Sequence, residues 1–238
     1  MTEILYMTDN YIKEFDAEIV ETGEDYVILD KTAFYAIGGG QESDQGWLEF
    51  DGKKIFVKQV TKKDGVKHFI DGEVPSKGTK VHGILDWDRR YAHMRMHTAQ
   101  HLISAVGASM YNLDTRGNQI HADRSRVDFY PAHFDEEGLK KLEDETNKKI
   151  AENHPVNIFE VSREEAEKKI SKVWRGYINR IPSSVKRLRM IDVDGIDCCM
   201  CAGTHVANTS EIGRLKIIGK DSKGADIQRI SYILEEGQ

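Results

Sequence analysis

Residues 81–108 read VHGILDWDRRYAHMRMHTAQHLISAVGA, and the change of period inside this stretch divides the chain. Val81-His82-Gly83-Ile84-Leu85 is a short β-rich run. From Asp88-Arg89-Arg90 onward, Met94, His97, His101, Leu102, Ala105 and Ala108 recur at three- and four-residue steps, the period of a helix with one apolar face. Gly107 is expected to loosen its end. Upstream, the runs Tyr26-Val27-Ile28-Leu29 and Ile55-Phe56-Val57 and the run at Val81–Leu85 are punctuated by Asp51-Gly52, Asp64-Gly65 and Asp71-Gly72, pairs that tolerate the positive φ of tight hairpins. This spacing predicts a small antiparallel β-barrel-like domain over residues 1–88.

Downstream the pattern is mixed. A strand is expected at Ser125–Tyr130 and a charged helix from about Asp135 to Asn153, terminated by Pro155. Val156–Val161 reads as a further strand. Ser162-Arg163-Glu164-Glu165 has the form of an N-cap with acidic residues in the first turn, opening a short helix to about Ile170. Two strand-like runs, Gly213–Gly219 and Gln228–Leu234, close the chain. Residues 89–238 are therefore expected to form an α+β domain, and the fold class is α+β.

With 238 residues, 39% hydrophobic and 31% charged, the composition is that of a globular protein rather than a disordered one. No run approaches the roughly 20 apolar residues of a membrane-spanning helix. Met1–Tyr6 lacks the basic region and apolar run of a secretory leader, so a cytoplasmic location is expected and no membrane partner. The formal charge of −6 argues against nonspecific coating of nucleic acid, while leaving room for a local basic face. Three cysteines confined to positions 198–201 make no disulfide framework; metal or thiol chemistry fits them better.

His97-Thr98-Ala99-Gln100-His101 sets two imidazoles one helical turn apart on one face. Cys201-Ala202-Gly203-Thr204-His205 supplies a thiolate and a third imidazole at the same separation. Four nitrogen and sulfur donors suit tetrahedral Zn²⁺ better than the oxygen cages of Mg²⁺ or Ca²⁺. Plainer readings stand beside this one. His93 extends the stripe of His97 and His101, which together can form a polar face meeting solvent or a partner helix. Cys198 and Cys201 form a Cys-x-x-Cys pair, and Cys198 and Cys199 can be small buried residues. Residue chemistry alone leaves the choice between Cys198 and Cys201 as ligand open.

His97-x-x-x-His101, followed far downstream by Cys201-x-Gly-Thr-His205-Val206, resembles the AlaX family, free-standing relatives of the editing domain of alanyl-tRNA synthetase. Phe34-Tyr35-Ala36-Ile37-Gly38-Gly39-Gly40-Gln41, continuing through Ser43 and Asp44 to Gly46, resembles the glycine-rich segment of that family's longer members. The chain departs from the family at Ala36-Ile37, where Pro and an acidic residue are usual. The resemblance covers nearly the whole chain. It implies a zinc-dependent deacylase acting in trans, hydrolysing the ester that joins chiefly serine, with glycine as the second candidate, to tRNA(Ala), in a zinc-binding editing domain. A synthetase pocket shaped for alanine excludes glycine and serine poorly, which is why a second sieve is needed.

On this reading His97, His101, Cys201 and His205 surround one zinc, with water or substrate completing the shell, and Thr98 and Thr204 are candidates for bonding the ligands or a bound water. Gly39 and Gly40 are expected to bring backbone N–H groups close to the tRNA end or amino acid. Gln41 and Asp44 are candidate substrate contacts, and Thr32 a candidate for recognising the serine hydroxyl. For the tRNA, the segment from Lys168 to Arg189 carries Lys172, Arg175, Arg180, Lys186, Arg187 and Arg189 without an acidic residue, interleaved with Trp174 and Tyr177. Such a stripe can neutralise phosphates and stack bases. The alternatives are a tRNA-binding module that zinc only staples, or an editor of mischarged threonyl-tRNA. The oligomeric state, monomer or homodimer, is left open.

Overall fold

Asp51 (φ 48°) and Gly52 (φ 72°) both adopt left-handed backbone, the requirement of the tightest hairpin turn, and they join β5 (Gly46–Phe50) to β6 (Lys53–Thr61). Asp64 (φ 56°) and Gly65 (φ 103°) serve the next hairpin, to β7 (Lys67–Asp71). With β2 (Glu14–Thr22), β3 (Tyr26–Leu29) and β8 (Lys80–Leu85), these strands close into a six-stranded antiparallel barrel of order β2-β3-β7-β6-β5-β8. Alternation fills it: Phe15, Ala17 and Ile19 of β2 point inward, while Glu14, Asp16 and Glu18 remain exposed. A shift of register between Val57 and Gln59 keeps both Val57 and Val60 on the core side of β6. The short strands β1 (Glu3–Ile4) and β4 (Lys31–Thr32) pair in parallel beside the barrel.

The computed structural model describes residues 1–171, 174, 178–179 and 181–235, and divides into two units, Met1–His93 and Met94–Gln238. The boundary falls inside helix α1 (Trp87–Tyr111) rather than at its start, because Arg90 belongs to the first unit. Its guanidinium is fully buried, pairs with Asp44, and donates to the carbonyls of Asn10 and Ala33.

In the second unit α1 runs four residues beyond Gly107, to Tyr111, and ends where Asn112 turns left-handed at φ 54°. The expectation that Gly107 loosens the helix is corrected: it is a close-packing position, where a Cβ would lie 3.0 Å from the Phe129 ring. A four-stranded antiparallel sheet of order β14-β15-β10-β9 contains β9 (Asp114–Ile120), β10 (Ser125–Tyr130), β14 (Arg214–Ser222) and β15 (Gln228–Glu235). Helix α2 (Glu136–Ala151) starts at Asp135, whose carboxylate accepts from Gly138 N–H. A second sheet joins β11 (Val156–Ser162), β12 (Arg187–Val193) and β13 (Asp197–Met200) in that order. Helix α3 (Arg163–Lys169) opens with a capping box made by Ser162 and Glu165, as its sequence predicts. Among the described residues no helix is long and apolar enough to cross a membrane.

Candidate metal centre

The spacing of His97 and His101 on α1 places their rings 5.2 Å apart, centroid to centroid. On β13, period-two alternation gives Asp197 and Cys199 one face, and Cys201, just beyond the strand, follows on the same parity. Antiparallel pairing of Cys199 with Ile191 sets that register. The chain then bends. Arg189 of β12, buried, donates from Nη1 to the carbonyls of Cys201 (2.6 Å) and Gly203 (3.0 Å), clamping the loop that carries the sulfur. Cys201 Sγ comes to lie 3.5 Å from His97 Nε2 and 3.4 Å from His205 Nε2. The donor atoms of His97, His101, Cys201 and His205 all fall within 4.8 Å of one another.

Thr98 determines how His205 presents itself. Its hydroxyl proton goes to the Met94 carbonyl (2.9 Å), which can only accept. The same oxygen accepts from Val206 N–H, 3.2 Å away, and faces His205 Nδ1 at 3.2 Å. Toward that nitrogen the oxygen can therefore only accept, so Nδ1 carries the ring proton and Nε2 offers a lone pair to the side of Cys201. Burial, and then His97, hold the His205 pKa well below the ordinary histidine value, which keeps the ring neutral. Burial resists a charged Cys201, but the neighbouring imidazoles, His97 foremost, bring its thiol well below the usual range. An unprotonated nitrogen and a thiolate facing each other at 3.4 Å are two electron-rich atoms, an arrangement that a shared cation relieves.

This donor chemistry fits a metal ion of the kind that takes nitrogen and sulfur ligands in tetrahedral geometry. His101 stands at the junction of two groups, since His101, Asp197 and Cys199 also lie within 4.8 Å of one another. Burial pushes the Cys199 thiol up to about 12 and that of Cys198 up to about 11, so both stay protonated at neutral pH. Of the two sulfurs left open by the sequence, Cys201 joins the three imidazoles and Cys198 does not. The reading of His93, His97 and His101 as a solvated stripe is corrected: all three are buried, and His93, 3.5 Å from Glu42, is held neutral by burial with a pKa of about 4.

Residues 2–89 match the family model described as tRNA synthetases class II (A), and residues 188–231 match the threonyl and alanyl tRNA synthetase second additional domain. The chain is 43% identical to the alanyl-tRNA editing protein AlaX-M of Methanosarcina barkeri, across 98% of this chain and 99% of that protein. The chain belongs to the AlaX family. A second AlaX-M, from Saccharolobus solfataricus, is 36% identical across 99% of this chain and all of its own length. The alanine–tRNA ligase of Thermococcus kodakarensis is 36% identical over 99% of this chain, which matches 26% of the ligase.

The glycine-rich segment of this AlaX chain lies wholly in the first unit. Gly38 and Gln41 exchange backbone hydrogen bonds (2.9 and 3.2 Å), and Gly39 (φ 58°) and Gly40 (φ 88°) form an exposed turn between them. Gln41 is buried at its base. Thr32 is fully buried: His68 Nδ1 faces the Val27 carbonyl, so the Thr32 hydroxyl donates to His68 Nε2 (2.8 Å) while accepting from Phe34 N–H (3.1 Å). Asp44 corrects the expectation of a substrate contact. Its carboxylate is fully buried and engaged by Arg90 and by Tyr35 N–H (2.6 Å), which makes it an anchor of the segment.

The basic stripe divides. Lys172, Arg175, Tyr177 and Arg180 lie outside the described residues. Lys186 and Arg187 are exposed, Arg187 beside Glu160 at 3.2 Å. Arg189 and Trp174 correct the reading: both are buried, Arg189 on the Cys201 loop and Trp174 with its indole N–H on Asp197 (2.7 Å), so neither is a surface for phosphates or bases. Thr204 is also buried, next to His205. The sequence reading missed Arg189 as a clamp, Cys199 as a neighbour of His101, and Asp197 altogether. The one signal for Asp197 was its even spacing from Cys199 and Cys201.

Proposed function

We propose that this chain is a trans-acting deacylase that hydrolyses serine, and more weakly glycine, from mischarged tRNA(Ala) in the cytoplasm, with zinc as its metal. The convergence of three imidazoles and one thiolate within 4.8 Å carries the reading. His97, His101, Cys201 and His205 would hold the ion, with water or substrate completing its shell. Zinc in that position supplies Lewis acidity toward an ester carbonyl and lowers the pKa of a water molecule from about 15.7 toward roughly 7. Thr98 keeps His205 in the ligating tautomer, and Thr204 packs beside it. Arg189 holds the Cys201 loop.

Recognition is assigned to both units. Gly39 and Gly40 present an exposed backbone turn, with Gln41 at its base, for the aminoacylated tRNA end. Thr32, fully buried with its proton on His68 and accepting from Phe34 N–H, is assigned to supporting the glycine-rich segment from below rather than to the serine hydroxyl. Exposed Lys186 and Arg187, together with Lys172, Arg175 and Arg180, are assigned to tRNA phosphates. The pair of Arg187 with Glu160 is solvent-exposed and worth about 1 kcal/mol or less, so phosphate displaces it readily.

The test is release of amino acid from Ser-, Gly- and Ala-tRNA(Ala) and from Ser-tRNA(Thr). Seryl release from tRNA(Ala) should be fastest, alanyl release slowest, and activity should vanish on metal removal and return with Zn²⁺. Equal hydrolysis of Ala-tRNA(Ala), or activity on Ser-tRNA(Thr) alone, overturns the substrate assignment. Binding of tRNA without hydrolysis overturns the enzymatic one.

A further inference from the structure

Besides the ligand Cys201, β13 brings a buried carboxylate to the same face. Asp197 is 3% exposed, and its Oδ2 lies 3.2 Å from His101 Nδ1. Its other oxygen, Oδ1, accepts from Trp174 Nε1 at 2.7 Å. The Trp174 ring also flanks His101, centroids 6.0 Å apart and planes inclined by 37°. The segment bearing Trp174 is pinned to β13 in turn: Ser171 N–H donates to the Cys198 carbonyl (2.7 Å), Cys198 N–H donates to Ser171 Oγ (2.7 Å), and Trp174 N–H donates to the Ser171 carbonyl (2.9 Å).

A histidine can ligate through Nε2 only if its proton resides on Nδ1, and a carboxylate facing Nδ1 enforces that tautomer and fixes the ring plane. His205 obtains the same service from Thr98. His101 has two neighbours at Nδ1, the Asp197 carboxylate and Cys199 Sγ at 3.4 Å. A cysteine sulfur is a weak hydrogen-bond acceptor and a carboxylate oxygen a strong one. We propose that Asp197, oriented by the Trp174 indole, is the positioning residue that sets the tautomer and tilt of His101 for metal binding. This rests on the reading that the four donors hold a metal.

The experiment uses the full-length protein and Co²⁺, whose thiolate charge-transfer and visible bands report ligand set and geometry, with affinities for Co²⁺ and Zn²⁺ from competition against a chromophoric chelator. Asp197→Ala should weaken metal binding about tenfold to a hundredfold and alter the visible bands, with the thiolate band retained. Asp197→Asn should lose nearly as much, because His101 and Trp174 face different oxygens of Asp197 and one of those two positions becomes an NH2 donor. Trp174→Phe, which keeps an aromatic ring beside His101 but removes the indole N–H and the five-membered ring that carries it, should lose less than Asp197→Ala, and Cys199→Ala should leave affinity unchanged. Circular dichroism identifies any variant that has not folded, and Trp174→Phe and Asp197→Asn, the least disruptive, then decide. Unchanged affinity and bands in folded Asp197→Asn, or a loss in Cys199→Ala with none in Asp197→Asn, overturns the proposal. If the unaltered protein shows no thiolate–cobalt band at all, it is the metal reading that fails.

Discussion

Thr98→Val tests the logic of the site most sharply, because it removes one hydroxyl while conserving shape. Two buried donors lose their acceptor, the Nδ1–H of His205 and the N–H of Val206, each 1% exposed. An orphaned buried donor costs about 1–3 kcal/mol, so roughly 2–6 kcal/mol is expected before relaxation. His205 can recover part of this by moving its proton to Nε2, and in doing so withdraws the lone pair that faces Cys201. The variant should therefore lose metal affinity by about tenfold to a hundredfold, the scale for removing a hydrogen-bond partner of a ligand. At 1.36 kcal/mol per tenfold, the stabilisation conferred by saturating metal should shrink by about 1.4–2.7 kcal/mol. Urea unfolding of metal-loaded and metal-stripped protein separates the two effects, and Thr98→Ser, which keeps the hydroxyl, should restore most of both. Metal affinity in Thr98→Val equal to that of the unaltered protein would refute the tautomer argument, however much stability was lost.

Two further outcomes concern the first unit. Asp44→Ala strands a fully buried guanidinium and should cost about 3–5 kcal/mol, read from the urea midpoint; the paired change Asp44→Leu with Arg90→Met should recover part of the loss, and a neutral Asp44→Ala with a raised KM would instead return Asp44 to substrate binding. His68, buried, has its pKa lowered from 6.5 to about 4, so the unfolded chain binds more protons than the folded one between those values and stability falls as pH drops through that window. The contribution, about 3 kcal/mol, is complete above pH 6.5 and gone below about pH 4; His68→Gln should flatten the acid slope, and an unaltered slope removes His68 as its source.

Local patterns were readable wherever the cause was local. Asp51-Gly52 and Asp64-Gly65 announced their hairpins because positive φ is a property of one or two residues, whereas Asp71-Gly72 ends β7 without a hairpin, since β7 and β8 do not pair; the capping box at Ser162 was readable because its partners lie three residues apart. The polar strand Asp114–Ile120 carried no alternation to reveal it and is held in place by β10. The basic stripe read from Lys168 to Arg189 ends on Arg187 and Arg189, yet pairing of β12 with β11 and β13 sends the first side chain outward and the second beneath the Cys201 loop.

What the amino-acid order determined by itself was which groups could act: two histidines one turn apart, a Cys and a His flanking a glycine, and a glycine-rich segment. Tertiary structure decided which of them meet and in what state. Cys201 rather than Cys198 faces the imidazoles because strand parity and the Arg189 clamp put it there. Trp174 and Asp197 are 23 residues apart in the chain and joined by one hydrogen bond. Proton position on an imidazole follows from what its other nitrogen touches, and for His101 and His205 those partners are about a hundred residues away, beyond the reach of any local pattern.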